Sequence, residues 1–235
     1  MTTRGVRPDS WVFLYGLGGP DRVQYRNQKK VVAFDMGYWC RHNPGRHYRV
    51  SVGGLHSPEL IFKGQRPTPE RWEKAKLEVT DSAKYRPAIM LVGNGPKSTA
   101  IGAQGWAAAK SREIRATFPG RQIVYRPKPK RPSETGVVAN VISREPIEQA
   151  LKTVGLVVCR HSNVAVDACL QGVPVVSEDG AGAAIYPHKL QDYAQQPSLE
   201  KRIEFLHRLA WWQWTAEECE GQVFWSWMKG VIGED

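Results

Sequence analysis

At 235 residues the chain holds one or two domains of about 150 residues each, which excludes repeat arrays and large multidomain assemblies. Its 41% hydrophobic and 24% charged residues suffice for a packed core, no stretch approaches the roughly 18 apolar residues of a membrane span, and Met1 to Pro8 lacks a signal peptide's apolar run, so a cytoplasmic protein is expected. With 33 Lys and Arg against 23 Asp and Glu the net charge is +10, which favours polyanions and phosphorylated ligands as partners.

From Trp11 to about Arg86 the pattern is strand-like and irregular. Trp11 to Tyr15, Lys30 to Phe34 and Tyr48 to Val52 are apolar runs closed by Gly16-Leu17-Gly18-Gly19, Asp35-Met36-Gly37 and Gly53-Gly54. Pro69 to Leu77 reads as one short amphipathic helix. This segment, residues 1–86, is expected to be a small lobe.

From Arg86 the texture changes to alternating strand and helix. Ala88 to Val92, Gln122 to Tyr125, Val137 to Ile142, Leu156 to Cys159 and Val173 to Val176 read as strands. Ala103 to Phe118, Pro146 to Val154 and Asn163 to Leu170 read as the helices between them. Buried strands alternating with helices predict a parallel sheet covered on both faces, a Rossmann-like lobe over residues 87–196.

The tail, residues 197–235, reads as two helices, the first capped by Ser198 and the second by a Thr215/Glu218 capping box. Its aromatics, Trp211, Trp212, Trp214, Phe224, Trp225 and Trp227, are expected to pack these helices across both lobes rather than to stack on a ligand. The four cysteines lie at wide spacings that fit neither a zinc knuckle nor a disulfide framework, so reduced thiols and no metal are expected.

In an open parallel sheet, ligands bind beyond the carboxyl ends of the strands, where loops meet helix N-termini. That rule selects Gly93-Asn94-Gly95 with Lys97 and Ser98, then Arg126 and Lys128, then Arg160-His161-Ser162-Asn163, and then Glu178-Asp179. Lys97-Ser98 is not a phosphate-binding Walker loop, because Leu91 and Pro96 occupy its glycine positions. Ser162 and Asn163 open a helix, where a hydroxyl, free N–H groups and the helix dipole can receive a phosphate; the same residues are also ordinary helix caps. Arg126, Lys128, Lys130 and Arg131 sit on a proline-stiffened loop that either holds cations toward one ligand or is a solvated basic loop.

The run from Ser162-Asn163 through Val164 to Leu170 and Gly172-Val173-Pro174-Val175-Val176 resembles the nucleotide-sugar-binding half of GT-B-fold glycosyltransferases. Within that fold it is similar to the capsule-building Kdo transferases and bacterial sialyltransferases. Their three marks are an acidic turn before glycine, a His-Pro pair and a hydroxyl pair opening a helix. Here Asp35-Met36-Gly37, Lys128-Pro129 and His161-Ser162 take those places, with Met36, Lys128 and His161 as the departures. The resemblance implies a GT-B-like α/β fold, a base at Asp35 and a donor phosphate held by the other two motifs.

Sugar transfer needs a carboxylate to take the acceptor proton and positive groups to hold the leaving phosphate. Asp35 is the first candidate base, with His56 and Glu59 second; Glu178 and Asp179 are candidates for the donor's sugar or ribose hydroxyls. The expected activity is a glycosyltransferase using a UDP- or CMP-linked sugar as co-substrate, without cofactor. Its acceptor is expected to be a polyanion, such as the hydroxymethylated DNA modified by phage enzymes of this fold (host cytoplasm in that case), or a capsule or lipopolysaccharide glycan. The alternative is a non-catalytic nucleic-acid-binding protein on the same fold.

Overall fold

The computed structural model describes residues 10–16, 29–41, 45–53, 57–64, 66–82, 85–95, 103–129 and 134–233. The chain divides into two compact units, one formed by residues 1–71 and 207–235 and the other by residues 72–206. The C-terminal segment from His207 is therefore part of the first unit. Among the described residues no helix is long and apolar enough to cross a membrane.

The first unit is built on a four-stranded sheet, β1 (Val12–Tyr15), β2 (Val31–Met36), β3 (His47–Val52) and β9 (Gln213–Thr215), in the order β1-β2-β3-β9. β1 and β2 are parallel, and the other two pairings are antiparallel. Val12, Leu14, Val31 and Ala33 form an apolar cluster on one face, as the two-residue period of a strand requires. Two one-turn helices follow, α1 (Pro58–Ile61) and α2 (Glu70–Glu73). The expected helix from Pro69 to Leu77 is thus cut short: Lys76 has a positive φ of 50°, which ends the helical run.

The second unit carries a five-stranded, wholly parallel sheet in the order β6-β5-β4-β7-β8, made of β4 (Ile89–Val92), β5 (Ile123–Arg126), β6 (Val141–Ile142), β7 (Leu156–Cys159) and β8 (Val175–Ser177). Helices α3 (Trp106–Thr117), α4 (Ile147–Leu151) and α5 (Val164–Gln171) lie between strands in the sequence. Ile89, Leu91, Ile123, Tyr125, Leu156 and Val158 make one core with Ala107, Ile114 and Phe118, while the alternate residues Met90, Val124, Val157 and Val175 are equally buried on the opposite face. Burial on both faces is why these strands read as continuous apolar runs. Gly172 closes α5 with a left-handed φ of 68°, the ordinary glycine C-cap.

Helix α6 (Leu199–Trp211) begins in the second unit and ends in the first, and Ser198 Oγ accepts the Lys201 N–H at its start. Beyond it the structure departs from the expected pair of tail helices. Gln213–Thr215 is strand β9, paired with β3 through Tyr48 and Trp214. The Thr215/Glu218 box does form, with Glu218 N–H to Thr215 Oγ1 at 3.1 Å and Thr215 N–H to Glu218 Oε2 at 2.9 Å. It closes a single turn at Glu218–Glu220, however, and the last helix, α7 (Gln222–Ile232), starts two residues later. The tail's rings pack on the first unit: Phe224 lies against Trp214 at 5.2 Å and Phe34 at 6.1 Å, and Trp227 against Trp212 at 5.2 Å. Arg71 binds this tail from α2, forking onto Glu218 at 2.9 and 3.0 Å, donating to the Gln213 and Ala210 carbonyls, and lying 3.7 Å over the Trp214 ring.

Candidate functional site

The parallel sheet has the strand order of a doubly wound nucleotide-binding fold: successive strands run outward from β4 to β6, then the chain returns to β7 on the other side of β4. The change of direction lies between β4 and β7, where loops diverge and leave a crevice at the carboxyl ends. Four of the predicted segments emerge at this edge. Gly93 to Gly95 follow β4, Pro127 and Lys128 follow β5, Arg160 to Asn163 follow β7, and Glu178 to Gly180 follow β8.

Glycine holds the first two loops together. The Gly93 N–H donates to the Arg126 carbonyl at 2.8 Å, and a Cβ on Gly93 would lie 2.6 Å from the Tyr125 hydroxyl. A Cβ on Gly95 would meet the Lys128 stem at 3.7 Å, so the exposed lysine lies along this glycine. The other two loops are joined in the same way. The Asp179 N–H donates to the Arg160 carbonyl at 2.7 Å and the Glu178 N–H to the Cys159 carbonyl at 3.2 Å. Gly180, at φ 76°, comes so near His161 that a Cβ would stand 2.8 Å from its Cα. Buried Ser177 completes the joint by donating to the Asp179 carbonyl at 2.9 Å.

The candidate side chains divide by what they touch. Ser162 Oγ accepts the Val164 N–H at 3.2 Å, the capping role the sequence allowed, and the first turn of α5 follows directly. Arg126 donates to the Glu145 carbonyl; burial lowers its pKa, and the nearby Asp167 and Glu148 carboxylates oppose that shift. These partners belong to the protein itself. Asn94 Nδ2 is buried and has no hydrogen-bond partner among the described residues. Asp179 Oδ1 accepts the Gly180 N–H at 2.6 Å.

Glu178 differs from expectation. Its two oxygens are taken by α3, Oε2 by the Trp106 indole N–H at 2.5 Å and Oε1 by Lys110 Nζ at 2.6 Å. Lys110 is buried and also pairs with Glu113; burial alone would lower its pKa, but the two carboxylates win and raise it, so it stays charged. Glu178 therefore anchors its loop to α3. No local pattern in the sequence connects Trp106 or Lys110 to Glu178. Cys159, at the end of β7, is no nucleophile, since burial pushes its thiol up to about 11.

In the first unit, Asp35 and Met36 are not a turn but the last two residues of β2, because β3 extends far enough to pair with them. Gly37 follows, and only glycine fits: a Cβ would lie 2.7 Å from the His47 carbonyl oxygen. Asp35 Oδ2 lies 3.4 Å from Arg49 Nη2, and Oδ1 accepts the Met36 N–H at 2.8 Å. Arg49 in turn sits opposite Gln213 of β9, whose Oε1 accepts the N–H groups of Tyr38 and Trp39 at 2.7 and 3.3 Å. Arg49, the partner of Asp35, and Gln213 beside it are residues that sequence reading missed; an arginine inside the strand-like Tyr48 to Val52 run was the available sign. Glu59 is exposed in the first turn of α1. His56, Lys97, Ser98, Lys130 and Arg131 lie outside the described residues.

Among solved structures, the chain is similar to Thermosulfurimonas dismutans KpsC, beta Kdo 2,4 transferase, over 86% of this chain and 79% of that one, with a TM-score of 0.52 and 14% identity. It also aligns with the beta Kdo 2,7 transferase of KpsC from the same organism (86% and 76% coverage, TM-score 0.49, 16% identity) and with Spinosyn Rhamnosyltransferase SpnG (75% and 50%, 0.36, 17%). No family model and no curated protein sequence matches the chain. The likeness establishes the fold: this is a GT-B-like α/β protein, as the resemblance of the run from Ser162 to Val176 implied.

Proposed function

We propose that the protein is a glycosyltransferase that moves a sugar from a UDP- or CMP-linked donor to a hydroxyl of a polyanionic acceptor, such as hydroxymethylated DNA. The observation that carries this reading is the edge at the β4/β7 change of direction, where Gly93 to Gly95, Lys128, the head of α5 and Asp179 emerge together. The neighbouring structure of like fold is named as a Kdo transferase, which agrees with sugar transfer as the class of reaction.

In the reaction, Asp35 accepts the acceptor's hydroxyl proton as that oxygen bonds to the donor's anomeric carbon. The bond from that carbon to the phosphate oxygen breaks, and its electron pair leaves with the nucleotide. The head of α5, Lys128, Arg160 and the Asn94 amide meet the charge that develops there. Asp179 takes sugar or ribose hydroxyls. The +10 net charge supports an anionic acceptor.

The test is mass spectrometry of acceptors after incubation with UDP-, CMP- and GDP-sugars, using hydroxymethylated DNA and short anionic glycans side by side. Mass added by one sugar, lost in Lys128→Ala with unchanged folding, is the expected result. Salt-dependent DNA binding with no transfer from any donor would identify a non-catalytic nucleic-acid-binding protein instead.

A further inference from the structure

The rings of the tail are not all core. Trp214 and Phe224 are about 1% exposed, whereas Trp225 keeps 43% of its surface in solvent. It lies 5.8 Å from Phe13, itself 42% exposed, on the edge strand β1. Two residues along, on the same face and about 7 Å away by strand geometry, Tyr15 is 54% exposed. Tyr15 meets the Tyr48 ring edge-on at 5.7 Å, and Met36, opposite Tyr48 in the register, is exposed on the same face. At the edge of the sheet formed by the described residues, two aromatic rings kept about half exposed run against the usual protection of sheet edges and point to a partner.

A cation is fixed to these rings. Arg46 lies 5.2 Å from the Tyr48 ring centre, and its Nη2 donates to the Tyr15 hydroxyl at 3.1 Å. At the other end, Trp225 lines a cavity of ≈ 240 Å³ with Lys229, Gln222, Ser226 and Glu220.

We infer that Tyr15, Tyr48 and Arg46, continued by Phe13 and Trp225, form a platform that stacks the unpaired bases of a nucleic acid. The inference rests on the reading above for its role, since it names the acceptor as one whose target base is single-stranded or displaced from its duplex. Every base offers a planar π-face, so rings set in a row along a sheet accept successive bases, and an arginine held against them adds cation–π attraction and a phosphate contact. The overall charge of +10 complements a nucleic acid backbone and gives a neutral saccharide no advantage.

The test needs no sugar donor. Fluorescence anisotropy compares an oligothymidylate of about 20 nucleotides with an abasic strand of the same length. The thymidylate is expected to bind at least about tenfold tighter, and Tyr15→Ala to remove most of that ratio while Tyr15→Phe keeps it. Trp225→Ala, a change on a separate element, carries the same expectation should Tyr15→Ala fail to fold. Arg46→Gln should lower the slope of log affinity against log salt by about one. Equal affinity for the two strands overturns the inference, as does an anionic glycan that displaces the thymidylate better than the abasic strand does. Sugar transfer without base-dependent binding would remove this inference alone. Base-dependent binding without transfer from any donor would remove the glycosyltransferase reading and leave the platform standing.

Discussion

Asp35 and Arg49 stand directly opposite each other on β2 and β3, with the guanidinium 3.4 Å from the carboxylate. The ion pair orients one oxygen of the proposed base, and Gln213 of β9 is the next residue across the sheet from Arg49. Asp35→Asn keeps the shape but cannot take a proton. Its transfer rate is expected to fall about 10²-fold or more, with a stability loss of about 1–3 kcal/mol because the buried Arg49 guanidinium loses its charged partner. A mass-spectrometric rate assay and a melting curve measure the two effects separately.

Gly180 is where the loops after β7 and β8 touch. Gly180→Ala must both adopt a left-handed φ and push against His161 Cα, a backbone atom that has little room to give. A loss of about 1–3 kcal/mol in the second unit follows from strain of this kind, together with weaker nucleotide binding because the Arg160 to Asn163 loop shifts. Urea unfolding and nucleotide titration check it; an unchanged midpoint would contradict the packing described.

Arg71 makes a two-point fork to Glu218, two carbonyl contacts and a ring contact with Trp214. Arg71→Ala leaves buried carbonyls without donors, and a cost of about 2–4 kcal/mol is expected. Arg71→Lys should recover little, since an ammonium cannot fork onto a carboxylate while lying flat on an indole. Denaturant midpoints of the three proteins decide this.

The same contact has a pH signature. Burial alone would raise the Glu218 pKa, but hydrogen bonds from Arg71 and the Thr215 N–H outweigh it and hold the carboxyl below its ordinary 4.5. A carboxyl depressed on folding stabilises the protein above its unfolded pKa, and that contribution disappears as pH falls through the folded value. The wild type should therefore lose stability below about pH 4.5 more steeply than Glu218→Gln, as read from melting temperatures between pH 3 and 7.

Much of the second unit was legible residue by residue. Ile89–Val92 and Leu156–Cys159 are short runs without polar interruption, bounded by glycine or charge, and a strand buried on both faces has no other appearance. The loops at the carboxyl edge followed from the ends of those strands. Glu178 did not, because its role depends on Trp106, 72 residues away in sequence, whose indole no local pattern connects to it. The tail shows the same limit in another form. Gln213-Trp214-Thr215 carries no strand signal stronger than its helical neighbours, and it extends only because the free edge of β3 offers hydrogen bonds there.

Local chemistry thus settled the parallel sheet, the glycine-bounded loops at its carboxyl edge and the basic character that suits an anionic partner, since each depends on short runs of residue types and their spacing. Pairing across the chain settled the rest: that Asp35 lies within a strand and faces Arg49, that Glu178 is anchored to α3, and that Trp225 faces solvent while Trp214 is core. Contacts between residues far apart in sequence are worth a few kcal/mol each at most, yet they choose among local states that differ by less, and so they have the last word on where a side chain is put to use.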